Sequence, residues 1–589
     1  MLRLARRPAV AVWFRSCAIR SMSTGADTEE VEDGLSRRTT PWVRTVISGA
    51  ELLRNPKYNK GFAFTEGERD RLYLRGLLPP AVISQDVQLC RAMANFRSKT
   101  TDLEKYQYLQ GLHERNERLF FYLLQEHLEE CLPFVHGPLV ALACKRYGLM
   151  FRSLPRSLFV CLSDRGVVFP VLKNWPERRV KAIALSDGEQ VGGYGDLGVQ
   201  SVGALISKLS LYSAYGGVQP STMMPVCIDC GTDNQQLLQD QFYVGTKQQR
   251  VRDDAYKELL DEFMEAVEKR FGRNIFISLE GMAWETSKHL LTQYRGEFPL
   301  YSDEFQGIPC TALAGLISAA KQTGIPLEEH VVLVSGEGAQ AAAIAEMLAA
   351  YVAAQSKRSV PDVRENMWLL DSKGLVTRGR DSTDNNSLKE FQYPFAHSGP
   401  ACAQLSDAIM AVKPTVLIGA TEHGQPPFMF TEKVLKAMMQ HCDRPVVFAL
   451  SCASEVSAWE AYKWTHGNCV FAGSYSNTHP VTLEDGTVRK PTKVDSLKVA
   501  AGLCAAITAT RSVALRDEQL IVAAETLAGL LKPEDAANGA VLPAIADLVP
   551  VSRAVAQAVA RKAYELGIAT DLPKPANLAE HIDKQWFHA

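Results

Sequence analysis

A glycine-rich turn is the first segment of the chain whose residue spacing points to chemistry. The segment GEGAQA follows an apolar run at residues 329–335 and opens an alanine-rich stretch that continues to Tyr351. At such a junction between strand and helix, glycines let the backbone approach a pyrophosphate, and the helix N-terminus faces its negative charge. The spacing therefore predicts a dinucleotide-binding turn formed by Gly336, Gly338 and Ala341. The alternative is that the turn only closes a connection between a strand and a helix.

Two acidic residues follow predicted strands, at the strand ends where α/β proteins bind their ligands. Asp371 follows the run MWLL and is the candidate partner of an adenosine ribose hydroxyl. It lies farther from Gly338 than the usual interval of about 20 residues. Glu280 follows the run IFISL at residues 275–279. We therefore expect Glu280 to face a ligand-binding crevice.

The cysteines predict no metal or redox centre. Cys227 and Cys230 have the spacing of such a motif, but no second cysteine pair or histidine pair completes it. The alternation of PVCIDCG favours a buried strand that leads into a turn. The 13 cysteines are scattered along the chain, which is typical of free thiols in a reducing compartment.

Composition excludes several classes of protein. The 589 residues are 46% hydrophobic and 22% charged, as in globular proteins of more than one domain. The 64 Lys and Arg residues nearly balance 66 Asp and Glu residues, so no global attraction to nucleic acid is expected. No apolar stretch reaches the roughly 18 to 20 residues of a membrane-spanning helix. We expect neither nucleic-acid binding nor membrane insertion.

The amino terminus has the composition of a targeting segment. Residues 1–26 are rich in arginine and serine, and the first acidic residue is Asp27. This pattern is typical of a mitochondrial transit peptide and predicts a matrix location. The alternative is a merely basic disordered tail.

Periodicity divides the remaining chain and predicts an α/β fold. Thr101 and Glu104 form a capping-box pattern, after which apolar residues repeat at helical spacing up to Leu128. Short apolar runs then alternate with helices such as Asp254–Phe271. The predicted regions are a transit peptide at 1–26, a helical N-terminal region at 27–150, an α/β domain at 151–298, a Rossmann-type dinucleotide-binding domain at 299–500 and a helical C-terminal region at 501–589.

Several segments together resemble the malic enzymes, which oxidatively decarboxylate malate to pyruvate with NAD or NADP and a divalent cation. The likeness runs in order from about Asn55 to about Leu572. It implies a malate-binding domain at 151–298, a dinucleotide domain after it, and assembly into a homo-oligomer. The segments that carry it are Leu103–Tyr106, Asn116–Phe120, Asp187–Glu189, Gly195–Val199, Tyr212–Val218, Asp229–Asn234 and Gln306–Gly307.

The resemblance also implies the roles of individual residues. Lys208 stands at the position of the family's base, and His136 stands where the family has its tyrosine acid. Glu280 and Glu304 match two carboxylate ligands of Mg²⁺ or Mn²⁺, although Glu304 is longer than the family's aspartate. A third ligand is missing, because Gly281 replaces an aspartate. These changes predict weakened metal binding.

The substrate-binding and cofactor positions are changed as well. Gln190 replaces an arginine that grips a malate carboxylate, and Cys452 replaces an asparagine that contacts substrate. Gln392 occupies a position where NADP-preferring relatives often carry lysine, so the resemblance favours NAD over NADP.

Two functions remain open at this stage. A general acid alone contributes about 10²- to 10⁴-fold, so the combined losses predict weak or absent malate turnover. The chain would then be a structural or regulatory subunit of a mitochondrial complex. The alternative is an active NAD-dependent enzyme that acts on malate or another 2-hydroxy acid through Lys208 and His136.

Overall fold

The computed structural model describes residues 47–150, 156–192, 194–382, 388–421, 429–451, 455–474 and 478–589. The predicted transit peptide at 1–26 lies outside these residues. The chain forms two compact units, of which the first contains residues up to Gln88 together with Glu114–Arg118. The second contains Leu89–His113 and Leu119–Ala589.

The first unit has a small apolar core of Leu52, Phe64 and Leu74. Its helices are Gly49–Arg54 and Glu66–Arg71, and the second begins with a capping box in which Thr65 and Glu68 exchange hydrogen bonds. Arg69 is buried and donates to the carbonyl oxygens of Phe64, Pro79 and Ala81.

Helices dominate the chain before the first sheet, as the sequence predicts. The capping box at Thr101 is present, since Glu104 N–H donates to Thr101 Oγ1 at 3.2 Å and Thr101 N–H donates to Glu104. The apolar repeat ending at Leu128 belongs to two helices rather than one, because the first ends at Glu126. The helices here are Gln85–Arg97, Asp102–Arg115, Glu117–Glu126, Leu128–Val135, Pro138–Lys145 and Tyr147–Met150.

A five-stranded parallel sheet follows, with strand order β1-β3-β2-β4-β5. Its strands are β1 (Leu158–Cys161), β2 (Ala182–Ser186), β3 (Met223–Asp229), β4 (Phe276–Leu279) and β5 (Leu300–Ser302). Most of their residues are buried, as expected of parallel strands covered on both faces. β5 pairs with β4, so this sheet extends beyond residue 298, where the sequence suggested a boundary.

Helices cover this sheet. Tyr256, Leu259 and Phe263 of the predicted helix Asp254–Phe271 are buried against it, so that prediction is confirmed. Helix Val202–Gly216 is buried along nearly its whole length and ends at Gly217 in the left-handed conformation. The other helices are Val168–Lys173, Gln235–Gln239 and Trp284–Tyr294.

The second sheet has seven strands in the order β14-β11-β10-β9-β6-β7-β8 and is parallel except for β8. The predicted α/β fold is therefore confirmed. A short antiparallel pair, β12-β13, accompanies it. The strands are β6 (Val332–Ser335), β7 (Met367–Asp371), β8 (Gly374–Leu375), β9 (Val416–Gly419), β10 (Val446–Ala449), β11 (Val470–Gly473), β12 (Val481–Thr482), β13 (Val488–Arg489) and β14 (Thr492–Lys493).

The part of the chain that follows β5 is also rich in helices. A π-helical turn, Asp303–Gly307, leads from β5 into helix Ile308–Thr323. Helix Leu497–Thr510 is buried along its whole length, and the predicted boundary at residue 500 falls inside it. The remaining helices are Ala339–Ser356, Val360–Arg364, Leu405–Val412, Glu432–Met439, Ala458–Trp464, Asp517–Gly529, Pro533–Ala537, Leu548–Glu565 and Leu578–Gln585.

Candidate active site

A cavity of about 250 Å³ lies at the carboxyl ends of β2, β4 and β5. Parallel strands deliver their last residues to one edge of a sheet, and ligands of α/β proteins bind there. His136, Gln190, Lys208, Glu280 and Glu304 all line the cavity. The structure therefore brings together five of the residues that the sequence predicts for catalysis, substrate binding and metal binding.

Lys208 is buried in the cavity wall between two carboxylates. Its Nζ lies 2.9 Å from Asp303 Oδ1 and 3.5 Å from Glu280 Oε2. Burial alone would lower the pKa of Lys208, but the two carboxylates outweigh burial and hold the pKa well above its usual value. Lys208 is therefore an ammonium at neutral pH.

Glu280, Asp303 and Glu304 form a carboxylate cluster in which each oxygen accepts a hydrogen bond or ion pair from the protein. Glu280 directly follows β4, and the other two begin the π-helical turn after the neighbouring β5. The donors are Ser278 Oγ and Lys208 Nζ for Glu280, Tyr301 Oη, Ser496 Oγ and Lys208 Nζ for Asp303, and Gly281 N–H and Ser302 Oγ for Glu304.

Burial and mutual repulsion perturb this cluster. Burial raises the pKa of Glu280, and Asp303 adds to the shift, although Lys208 opposes it. Burial likewise raises the pKa of Glu304, and the nearby carboxylates of Glu280 and Asp303 raise this pKa further. Desolvation and like charges both disfavour an ionised carboxylate, so the cluster retains protons more readily than exposed carboxylates do.

Gly281 is held against the loop that carries Gln190. Gln190 N–H donates to Gly281 O at 2.8 Å, and Gly281 N–H donates to Glu304 Oε1 at 2.9 Å. Gly281 has a φ of +59°, and a Cβ there would lie only 2.7 Å from Gln190 O. The backbone at this position therefore favours glycine, and it has no room for a metal-binding side chain without movement.

His136 has an acidic partner that the sequence did not identify. Its Nε2 lies 2.9 Å from Asp495 Oδ2 and 3.1 Å from Oδ1. Asp495 is buried, and Leu497 N–H also donates to it at 2.9 Å. Burial would raise the pKa of Asp495, but His136 and this backbone donor lower it well below its usual range. In the sequence, the only indication of this partner is that Asp495 stands two residues before helix Leu497–Thr510.

The cavity does not fit a divalent cation. Among the residues that the structure describes, no three His, Cys, Asp or Glu side chains are arranged to hold a metal ion. Glu280 and Glu304 share one wall, but their oxygens are engaged by protein donors and Gly281 adds none. Hard cations such as Mg²⁺ and Mn²⁺ require several oxygen ligands.

The glycine turn connects β6 to helix Ala339–Ser356, as the sequence predicts. A Cβ on Gly336 would lie 2.0 Å from the carbonyl oxygen of Ala420, so close backbone packing requires this glycine. Gly338 is the N-cap of the helix, and Ala341 is buried in its first turn. The turn thus presents a helix N-terminus at the carboxyl edge of the second sheet, where a dinucleotide phosphate fits.

Asp371 ends β7 and is already paired. Arg380 Nη2 donates to Asp371 Oδ2 at 2.9 Å, and Gln392 Nε2 donates to the same oxygen at 2.8 Å. All three residues are buried. Arg380 neutralises a carboxylate that would otherwise favour a ribose hydroxyl and repel a 2′-phosphate.

Two cysteine predictions have different outcomes. Cys452 lies outside the described residues. Cys227 is buried in β3, and Cys230 is buried just after it, where its Sγ accepts from Arg250 Nη1 at 3.1 Å. Burial raises the pKa of the Cys227 thiol to about 12, so this pair has the features of structural cysteines rather than a reactive centre.

Comparison with known proteins matches two successive segments of the chain to domains of one enzyme family. The model of the malic enzyme N-terminal domain matches residues 113–295, and that of the malic enzyme NAD-binding domain matches 305–564. The chloroplastic NADP-dependent malic enzyme of Oryza sativa subsp. japonica is 41% identical over 99% of this chain and 92% of its own length. NADP-dependent malic enzyme 1 of Arabidopsis thaliana is 43% identical over 96% of this chain and 95% of its own length.

Solved structures agree on the fold. The malic enzyme of Entamoeba histolytica superposes with a TM-score of 0.54 at 17% identity, covering 87% of this chain and 90% of that one. The malic enzyme of Pyrococcus horikoshii superposes with a TM-score of 0.51 at 20% identity, covering 78% of this chain and 89% of that one. In the described part of the chain, no helix is long and apolar enough to cross a membrane.

These comparisons correct two predictions. The expected preference for NAD over NADP is wrong, because the similar plant enzymes are named as NADP-dependent. Its physical basis also fails, since Gln392 is hydrogen-bonded to an Asp371 that Arg380 neutralises. The expected mitochondrial matrix location is contradicted by the rice relative, which is named as chloroplastic. Arginine-rich composition alone did not specify the organelle.

Proposed function

The chain belongs to the malic enzyme family, and we propose that this member binds NADP but turns over malate weakly or not at all. Its role is then structural or regulatory, within a homo-oligomer or a larger assembly. NADP supplies a hydride acceptor when bound, and the turn at Gly336 to Ala341 would hold it, beside an Asp371 that Arg380 neutralises. Among the described residues, no complete metal site serves the metal-dependent reaction of the family.

The contact between Gly281 and Gln190 carries this proposal. At this one place in the cavity wall, Gly281 offers no side-chain ligand to a metal, and the Gln190 side chain offers an amide where the family's arginine offers a cation. An amide provides neither a permanent charge nor the paired donors that a guanidinium offers to a carboxylate. A malate dianion would instead meet the cluster of Glu280, Asp303 and Glu304, whose only nearby ammonium among the described residues is Lys208.

The proton donor of the family is changed as well, because His136 stands where the family has its tyrosine acid. A lost electrostatic donor costs about 10²- to 10³-fold, and a lost proton-transfer group about 10²- to 10⁴-fold. Such losses add only partly, so we expect malate turnover to be reduced by at least about 10³-fold.

An assay of the purified full chain tests the catalytic part. Malate, Mg²⁺ or Mn²⁺ and either dinucleotide are supplied, and pyruvate and reduced cofactor are both measured. We expect no metal-dependent turnover above about 10⁻² s⁻¹, and a turnover number near the enzyme median of about 10 s⁻¹ would refute the proposal. Light scattering after size-exclusion chromatography tests assembly, and a stable monomer without partners would contradict the structural role.

An active decarboxylase is the second candidate, and the His136–Asp495 pair favours it. A histidine held by a buried carboxylate is a common arrangement for proton transfer. In this case His136 would protonate the enolate carbon after carbon dioxide leaves, and Lys208 would accept the hydroxyl proton. His136→Asn should then abolish any residual turnover while leaving dinucleotide binding unchanged.

A further inference from the structure

We infer that Lys208, which is ion-paired with Asp303 and Glu280, is the counter-ion of the carboxylate cluster, and that the engaged cluster takes no divalent cation. This inference deepens the proposed function, which assumes an incomplete metal site, and it explains how three buried carboxylates remain stable without a metal. Buried charges are tolerated when they are paired and their hydrogen bonds are satisfied.

The geometry of Lys208 fits this role. Its side chain is only 8% exposed and extends from the buried helix Val202–Gly216 into the cluster. The ammonium contacts one oxygen of Asp303 and one of Glu280, which come from different strand ends. A single tethered cation thus joins the ends of β4 and β5, much as a bound metal ion joins carboxylates from separate segments.

The other oxygens of the cluster are not available to a metal. Ser278, Ser302 and Ser496 donate to three of them, and all three residues are buried. A divalent cation that displaced these donors would leave buried hydroxyl groups without their present acceptors, which is costly. The amide of Gly281 is likewise committed to Glu304. Metal binding would therefore require rearrangement of the whole cluster.

Direct measurement of Mn²⁺ binding tests this inference without reference to activity. The full chain is titrated with Mn²⁺ alone, and free Mn²⁺ is followed by electron paramagnetic resonance. We expect no binding tighter than about 1 mM, the weak end of protein sites for hard divalent cations. A dissociation constant below about 0.1 mM that Glu304→Gln abolishes would overturn the inference.

Removal of the counter-ion gives the opposite prediction. Lys208→Met keeps the apolar stem but leaves three carboxylates facing one another, so we expect Mn²⁺ affinity to rise at least about tenfold and Mn²⁺ to raise the melting temperature. Lys498→Met is the matched control, because Lys498 is also buried but donates to the carbonyl oxygens of Lys493 and Pro543. No gain in Mn²⁺ affinity for Lys208→Met, or an equal gain in the control, would overturn the inference.

A second variant covers the case in which Lys208→Met does not fold. Lys208→Met/Asp303→Asn removes one charge of each sign, so it should fold even where Lys208→Met does not. If the double variant also fails to fold, charge balance is not what Lys208 supplies and the inference is wrong. Malate turnover without Mn²⁺ binding would refute the proposed function alone, whereas Mn²⁺ binding by the wild type without malate turnover would refute the counter-ion alone.

Discussion

Restoration of the family's aspartate at Gly281 should destabilise the protein rather than repair it. A Gly281→Asp side chain would begin with a Cβ only 2.7 Å from Gln190 O, on a backbone with a φ of +59°. The left-handed conformation costs a non-glycine residue about 1 kcal/mol, and relief of the overlap with a backbone carbonyl costs about 1–3 kcal/mol more. A fourth carboxylate beside Glu280, Asp303 and Glu304 adds electrostatic repulsion.

Gly166→Asp provides a matched control for this variant. Gly166 has a φ of +84°, but a Cβ added there would meet no heavy atom within 4 Å. The control variant therefore carries the cost of a positive φ without the steric overlap. The entropy of unfolding grows with chain length, so a cost of about 1 kcal/mol lowers the melting temperature of a chain of this size by about 1 °C. A total cost of about 3 kcal/mol for Gly281→Asp therefore predicts a melting temperature lower by about 2–3 °C, against about 1 °C for the control. Differential scanning calorimetry at one scan rate measures both.

The same variant tests whether the cavity can regain a metal. If Gly281→Asp melts within about 0.5 °C of Gly166→Asp, the contact with Gln190 does not constrain this position and the reasoning is refuted. Stable folding together with new, tight Mn²⁺ binding would contradict it more strongly, since the loop would then have moved to expose the new carboxylate.

Three further predictions concern other parts of the site. Asp495 has a lowered pKa in the folded protein, so it stabilises the fold above its unfolded pKa of about 3.9 and loses this effect as the pH falls from there towards its lowered folded-state pKa. Asp495→Asn should therefore lower the melting temperature at about pH 5 more than at about pH 2.5. Gly338→Val should abolish calorimetric NADP binding, because a branched side chain at the helix N-cap obstructs the phosphate, without changing the circular dichroism spectrum. Arg380→Ala should weaken NADP binding more than NAD binding, because the uncovered Asp371 carboxylate repels a 2′-phosphate, and equal losses would contradict this role.

Much of the fold could be predicted from the sequence because periodic patterns are local. Helix Asp254–Phe271 has the predicted bounds, since its apolar stripe and the terminal Gly272 act within a few turns. The predicted strand at 329–335 begins only at Val332, because residues Leu327–Glu329 form a 3₁₀ turn. Strand order and the assignment of β5 to the first sheet depend on pairing between distant segments, which one sequence does not reveal.

The candidate site could be predicted only in part, for a similar reason. The resemblance located Lys208, His136 and Glu280, and the structure brings all three to one cavity. It could not identify Asp495 as the partner of His136, because 359 residues separate them and the surrounding segment differs from the family pattern. The prediction for Asp371 assumed a free acceptor at a strand end, although Arg380, nine residues later, pairs with it.

The changes around Gly281 form one connected structure rather than independent losses. Its amide donates to Glu304, and its carbonyl accepts from Gln190, so a single residue bridges two of the substituted positions. The longer side chain of Glu304 is what reaches this amide, and an aspartate there would be one methylene too short to do so without movement. Because contacting residues do not contribute additively, reversal of one substitution at a time meets the geometry that the others have fixed. Recovery of a metal-dependent enzyme therefore requires concerted change at residues 281 and 304, together with movement of the loop backbone at residue 190.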